Sequence, residues 1–314
     1  DPETLTVIDY NTTDTAVKYF QKLNEEYQKG IVDPESFTQS YDEYISKLST
    51  GRVLGMIDQW WDFSNANDAI KQAGLDEQGC DYIPVPVTID GRDNQWHNSG
   101  GAFNESSGLA ITTSCEDVEG ALQFVNDLLD QDIHNLRFWG VEGTDYEVDE
   151  NGEFYRTEEE RTKQSDTAYK ASHTCPYSYF PQYTGTSDDG INANKPDGQA
   201  SEFFDGLNQD VKETFEAYGV ETYVEMLGTN EAPGDWYPMW SFSNNFTTDT
   251  PGGVAWNKIA DVKHEQLPQV VMAKDFDAAW DTYMDAYNAC HPEDFISELQ
   301  TELDTRMEQA AKFK

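Results

Sequence analysis

The chain has 314 residues, 60 of them acidic and 20 basic, for a formal charge of −40. That length suffices for one large or two medium domains with real cores, and the charge excludes nucleic acid and anionic lipid headgroups as partners. The acid is interleaved with apolar periodicity and 13% aromatics, the mark of a folded acidic protein rather than a disordered tail.

Thr13 or Asp14 can cap a first helix, in which Val17, Phe20, Leu23 and Tyr27 form a stripe that ends at Gly30. A turn over residues 31–34 leads to a second helix with Tyr41, Tyr44, Ile45 and Leu48 on one face and Gly51 as its stop. Residues 53–57 are an apolar run of strand length, closed by Asp58 and Gln59. Trp60 and Trp61 follow in a loop, and Ser64 can cap a helix running to about Ala73. Helix, buried strand, aromatic loop and helix in succession make an α/β unit whose loop lies where open α/β sheets bind ligands. Flat indole faces rimmed by Asp58, Asp62 and Asn65 suit a sugar ring, although either tryptophan alone packs into a core as readily.

Further along, residues 95–107 are polar and Gly-rich, with Trp96, His97 and Asn98, and read as a loop. Residues 108–112 (GLAIT) read as a strand, and Ser114 or Thr113 as the cap of a helix with Val118, Ala121, Leu122, Val125 and Leu128 on one face. Tyr146 and Val148, then Phe154 and Tyr155, alternate around Asn151-Gly152 as a β-hairpin with a type I′ turn. Glu147, Asp149, Asn151, Gly152 and Glu158 also match the spacing of an EF-hand loop, but Glu at its first position and no evident flanking helices favour the hairpin. Residues 162–198 lack periodicity and hold PYSYFPQY (176–183), an aromatic loop over a cleft or a packed connection. Ser201 caps a helix reaching Tyr218; a second aromatic cluster, DWYPMWSFSNNF, holds Trp236, Tyr237 and Trp240. Two final helices carry core stripes, Phe276, Ala279, Trp280, Tyr283, Tyr287 and then Phe295, Leu299, Leu303, Met307.

No run of eighteen apolar residues spans a membrane. The start at Asp1, without methionine or signal sequence, is expected of a processed or excised chain. Cys80, Cys115, Cys175 and Cys290 form no CxxC, so free and mostly buried thiols are expected, and five scattered histidines complete no metal pattern; no metal and no cofactor is expected. The acidic surface also argues against a polyanionic ligand such as a uronate polymer.

The series YFQKLNEEYQKGIVDPESF…YDEYISKLSTGRVLGM, then LAITTSCEDVEGALQFVNDLL, FWG-x-EG-x-DY and AWDTYMDAYNA…ISELQTELDTRM, resembles the solute-binding proteins of ABC importers. The likeness is to maltose-binding-type proteins and, through FWG-x-EG-x-DY, to the large lipoprotein-type members of Gram-positive bacteria. It runs in order from about residue 14 to the C-terminus and implies an α/β, two-lobed, helix-rich fold of the periplasmic-binding-protein type II kind. Residues 1–107 and 236–314 would build the C-terminal lobe, and 108–235 part of the N-terminal lobe. Residues 81–86 would be a sheet strand leading to a turn at Asp90–Gly91, and GLAIT would cross the hinge. The lipoprotein cysteine, the first strands and the acidic turn motif of the family are absent, so the remainder of the N-terminal lobe is an implied partner segment.

The resemblance implies no catalysis but capture of an extracellular carbohydrate, by hinge closure, for delivery to membrane permease subunits, from a cell-surface lipoprotein or the periplasm. Trp61 lines up with the family's sugar-stacking tryptophan, and Trp60 falls where the family varies. Where the family has a YPP-like segment, this chain has Trp236, Tyr237, Pro238 and Trp240. The competing readings are a secreted glycoside hydrolase, for which no nucleophile elbow, phosphate loop or HExxH appears, and a glycan-binding adhesion module, for which the helices are too long.

Overall fold

Fourteen α-helices punctuated by two small β-ladders make up the described part of this chain. The computed structural model describes residues 1, 3–88, 95–97, 109–177, 179–231, 236 and 239–312, with the backbone alone at 95–97, 167, 229–231 and 240–241. The helices of the first half are α1 (Asp14–Gln28), α2 (Tyr41–Leu48), α3 (Trp60–Gln72), α4 (Val118–Asp127), α5 (Gln131–Phe138), α6 (Glu158–Ser165) and α7 (Thr167–His173). Then come α8 (Ala200–Asp205), α9 (Gln209–Tyr218), α10 (Tyr223–Leu227), α11 (Trp240–Ser243), α12 (Pro251–Met272), α13 (Phe276–Asn288) and α14 (Pro292–Ala311). Strand β1 (Gln95–His97) runs parallel to β4 (Thr229–Glu231), and β2 (Glu147–Val148) pairs antiparallel with β3 (Phe154–Tyr155). The chain divides into two compact units, one of Asp1–Ala69, Val87–Asn104 and Thr229–Lys314, the other of Ile70–Pro86 and Glu105–Gly228.

In the first unit α12 packs against α1, α13 and α14. Ala16, Ala255, Ile259 and Val270 close on Trp280, Tyr283, Tyr287 and Cys290. Each large apolar side chain buried there contributes about 1.5–3 kcal/mol. The Tyr283 hydroxyl donates to Asn11 Oδ1 and the Tyr287 hydroxyl to Asp9 Oδ1, both at 3.0 Å, so two deeply buried phenols keep partners. Burial and the Asp9 carboxylate push both phenols far above their ordinary pKa. Both ends of α12 are closed by other helices. Glu298 of α14 accepts from the Gly252 N–H at 2.7 Å, and Asn24 of α1 donates to the carbonyls of Val271 and Ala273 at 2.8 and 2.7 Å. These are the orphan groups that every helix terminus leaves.

Local signals set several boundaries where the sequence places them. Thr13 caps α1 by accepting from the Ala16 N–H, and Ser40 and Glu43 form a capping box on α2. Gly30 and Gly51 follow the two helices with φ of +76° and +66°, a region glycine enters without steric cost.

Other expectations are corrected. Residues 53–57, 81–86 and 109–112 form no strand, and Leu54 is fully exposed. A strand needs a ladder of non-local backbone partners, and these residues belong to neither described ladder; Pro84 and Pro86 also remove two donors from 81–86. The α/β unit with a buried strand is therefore not formed among the described residues, and the chain is helix-rich. Ser64 lies inside α3 and caps nothing; α4 is capped by Asp117 rather than by Ser114 or Thr113, and of its apolar stripe only Leu128 is buried. The expected single helix from Ser201 to Tyr218 breaks into α8 and α9 around Gly206–Asn208. In the β2–β3 hairpin Gly152 alone takes positive φ, so the turn is not type I′. Instead Asp149 Oδ1 gathers the N–H groups of Asn151 and Glu153, each at 2.8 Å. Residues 95–97, expected in a loop, form β1; the rest of 98–108 and the Asp90–Gly91 turn lie outside the described residues. All four cysteines are free, but only Cys290 is buried.

Candidate functional site

Trp60 and Trp61 stand in the first turn of α3, not in a loop before it, and both are mostly exposed, at 61% and 68%. Trp60 meets Phe63 edge-on at 5.9 Å, which fixes the indole while leaving surface open to solvent. Leu54 and Ile57 just before the helix are exposed as well.

The polar rim expected from sequence assembles around this turn. The Tyr44 hydroxyl of α2 donates to Asp58 Oδ2 at 2.5 Å, and Asp58 Oδ1 accepts from the Gln59 N–H at 2.8 Å. The Tyr41 hydroxyl donates to the Asp62 carbonyl at 2.8 Å and receives Asn65 Nδ2 at 3.4 Å. Partial burial, then the neighbouring Asp58 carboxylate, hold the Asp62 carboxyl above the usual carboxylate range. Neighbouring carboxyls resist double ionisation.

Tyr41 and Tyr44 share one face of α2, and their hydroxyls join the rim by bonding the acidic turn 14–21 residues downstream. Of the second aromatic cluster, Trp236 is half-buried beside α14, where its carbonyl accepts from Arg306 Nη1 at 3.4 Å. Trp240 opens α11, with its side chain not described, and Tyr237 lies outside the described residues. Trp256 of α12 stacks on Phe295 of α14 at 4.7 Å, and Phe246 meets Phe295 edge-on at 5.4 Å, as packing between the two helices.

The FWG-x-EG-x-DY segment forms a folding knot in the second unit. Trp139 and Asp145 are fully buried. Asp145 accepts from the Val141 N–H at 2.9 Å, from Gln164 Nε2 at 3.0 Å and from the Tyr169 hydroxyl at 2.9 Å. A side chain at Gly140, where φ is +96°, would meet Asp145 Oδ2 at 2.5 Å. Arg156 spans the knot, donating to the carbonyls of Asp145 and Trp139 at 3.1 Å and lying 5.6 Å over the Trp139 ring. Asp145 and Arg156 thus serve the fold. Among the described residues no three His, Cys, Asp or Glu side chains are grouped to hold a metal ion, and no helix is long and apolar enough to cross a membrane. No protein-family model, no curated protein and no solved structure matches this chain.

Proposed function

We propose that this chain is the carbohydrate-binding protein of an ABC importer, with the first turn of α3 as its sugar platform. The observation that carries the reading is the exposed Trp60–Trp61 pair rimmed by Asp58, Asp62, Asn65 and Tyr41. Isolated exposed apolar residues are ordinary, but two adjacent indoles ringed by oriented acceptors match the amphipathic faces of a pyranose. Stacking on one indole contributes about 1–3 kcal/mol, and hydroxyl hydrogen bonds to the carboxylates would add selectivity. The sequence resemblance supplies the rest: a two-lobed fold of the periplasmic-binding-protein type II kind, hinge closure, permease partners and an extracellular or periplasmic setting.

The rival reading as a glycoside hydrolase needs an acid/base pair of carboxyls about a scissile glycosidic bond, and predicts product formation where binding predicts saturation without it.

A thermal-shift screen against mono- and oligosaccharides tests the proposal, since a ligand bound by the native state alone raises Tm by mass action. A shift with one sugar, lost in Trp61→Ala and without product formation, is the expected result. Product formation would replace binding by catalysis, and a shift retained in Trp61→Ala would remove α3 as the platform.

A further inference from the structure

Arg137 is only 5% exposed, yet no carboxylate pairs with it among the described residues. Its Nη1 is used, donating to the Leu128 carbonyl at 3.0 Å and the Pro181 carbonyl at 2.7 Å. Its Nε and Nη2 are buried and have no acceptor. These two nitrogens form one edge of the guanidinium, the edge whose parallel N–H bonds fit two oxygens of a carboxylate or phosphate. Arg161, in the same unit, uses that edge in this way: its Nε and Nη2 donate to the two oxygens of Glu202 at 3.0 and 2.8 Å.

The surroundings repeat the pattern. His134 is fully buried and its Nε2 accepts from the Tyr183 N–H at 3.0 Å, which leaves the proton on Nδ1, where it too has no acceptor. Lys195 Nζ lies 5.1 Å from the centre of the Phe138 ring, and the Arg137 guanidinium 5.2 Å from it. Burial pushes the His134 imidazole down to about 4, with Arg137 and Lys195 adding to the effect, and no carboxylate offsets it. In a chain with three acids for every base, a buried guanidinium, a buried imidazole N–H and an ammonium without an acid between them run against the rule that buried charge is paired.

We propose that the Nε–Nη2 edge of Arg137, together with the His134 Nδ1–H and the Lys195 ammonium, is a binding site for an oxyanion, a carboxylate or a phosphate or sulfate group. Residues 181–183 hold both donors in place, the Pro181 carbonyl accepting from Arg137 and the Tyr183 N–H donating to His134. The site is independent of the carbohydrate reading, and its test needs no sugar.

The test is a titration of the full chain with sodium acetate, sodium phosphate and sodium sulfate in separate arms at constant ionic strength. It follows the arginine Nε–H resonances by NMR, with Arg137 assigned through bonds. A saturable shift of the Arg137 resonance is expected, and the arm that saturates first identifies carboxylate or tetrahedral oxyanion. Arg137→Lys keeps the charge but loses the two-nitrogen edge, and should weaken binding by roughly ten-fold or more. Lys195→Gln, at a half-buried position, should weaken it by a smaller factor while leaving the fold intact. A linear, unsaturating response in all three arms, or a saturable shift confined to other arginines, would overturn the proposal. Should Arg137→Lys fail to fold, the wild-type titration and Lys195→Gln decide the question by themselves.

Discussion

The Tyr44 hydroxyl meets Asp58 Oδ2 at 2.5 Å, tying α2 to the residues that lead into α3. This short bond orients the carboxylate beside Trp60 and Trp61, so the tyrosine acts on the platform without belonging to the aromatic pair. Tyr44→Phe should cost about 0.5–1.5 kcal/mol of stability and, on the proposed function, weaken sugar binding several-fold. Urea unfolding and titration of the same variant separate the two effects.

Asp62 gives the platform a pH dependence. Its carboxyl is raised in the folded state, first by burial and then by Asp58. The native state therefore binds the proton more tightly than the unfolded chain, and stability falls as pH rises through the window above the unfolded carboxylate value of about 3.9. Asp62→Asn should raise Tm at pH 7 and lose that advantage below pH 4. Melting curves of both proteins across that range check the sign.

His134 works in the opposite direction. Its imidazole is held neutral down to about 4 by burial and by Arg137 and Lys195. Between its ordinary value near 6.5 and about 4 the unfolded chain takes up a proton that the native state refuses, so stability is lost as pH falls through that window. His134→Gln can still accept from the Tyr183 N–H and should flatten the loss, by on the order of 2 kcal/mol at pH 4. Denaturant midpoints at pH 7 and pH 4 measure it.

Two adjacent glycines at the start of α12 should differ sharply. A Cβ at Gly253 would fall 1.6 Å from the Thr247 carbonyl oxygen, whereas one at Gly252 would meet the movable Glu298 carboxyl at 2.5–2.8 Å. Gly253→Ala has to shift the backbone and should cost about 3 kcal/mol or more; Gly252→Ala displaces a side chain and gives up one cap, about 1–2 kcal/mol. The ratio of their urea midpoints, rather than either alone, is the measurement.

Local chemistry made α1, α2, α13 and α14 legible, because a 3.6-residue stripe and a capping side chain are fixed within one or two turns. Thr13, Ser40 with Glu43, Gly30 and Gly51 all act on their own neighbours. The same local rules missed α12, whose Gly252, Gly253 and Pro268 read as breakers although Glu298 and Asn24 close its two ends from other helices. They also missed α6, although Thr157 and Glu160 spell out its capping box. At the candidate site the residue types were readable, and Asp58, Asp62 and Asn65 do gather at one turn, but the placement of Trp60 and Trp61 inside a helix was not. The apolar runs at 53–57, 81–86 and 109–112 show the limit from the other side: strand-like composition becomes a strand only when distant backbone pairs with it. What the sequence determined by itself is what propensity, capping and charge decide within a few residues. Tertiary structure alone joined Asp9 and Asn11 to Tyr287 and Tyr283 across more than 270 residues and left one edge of the buried Arg137 unpaired, because which polar groups share a buried space depends on packing that no local spacing encodes.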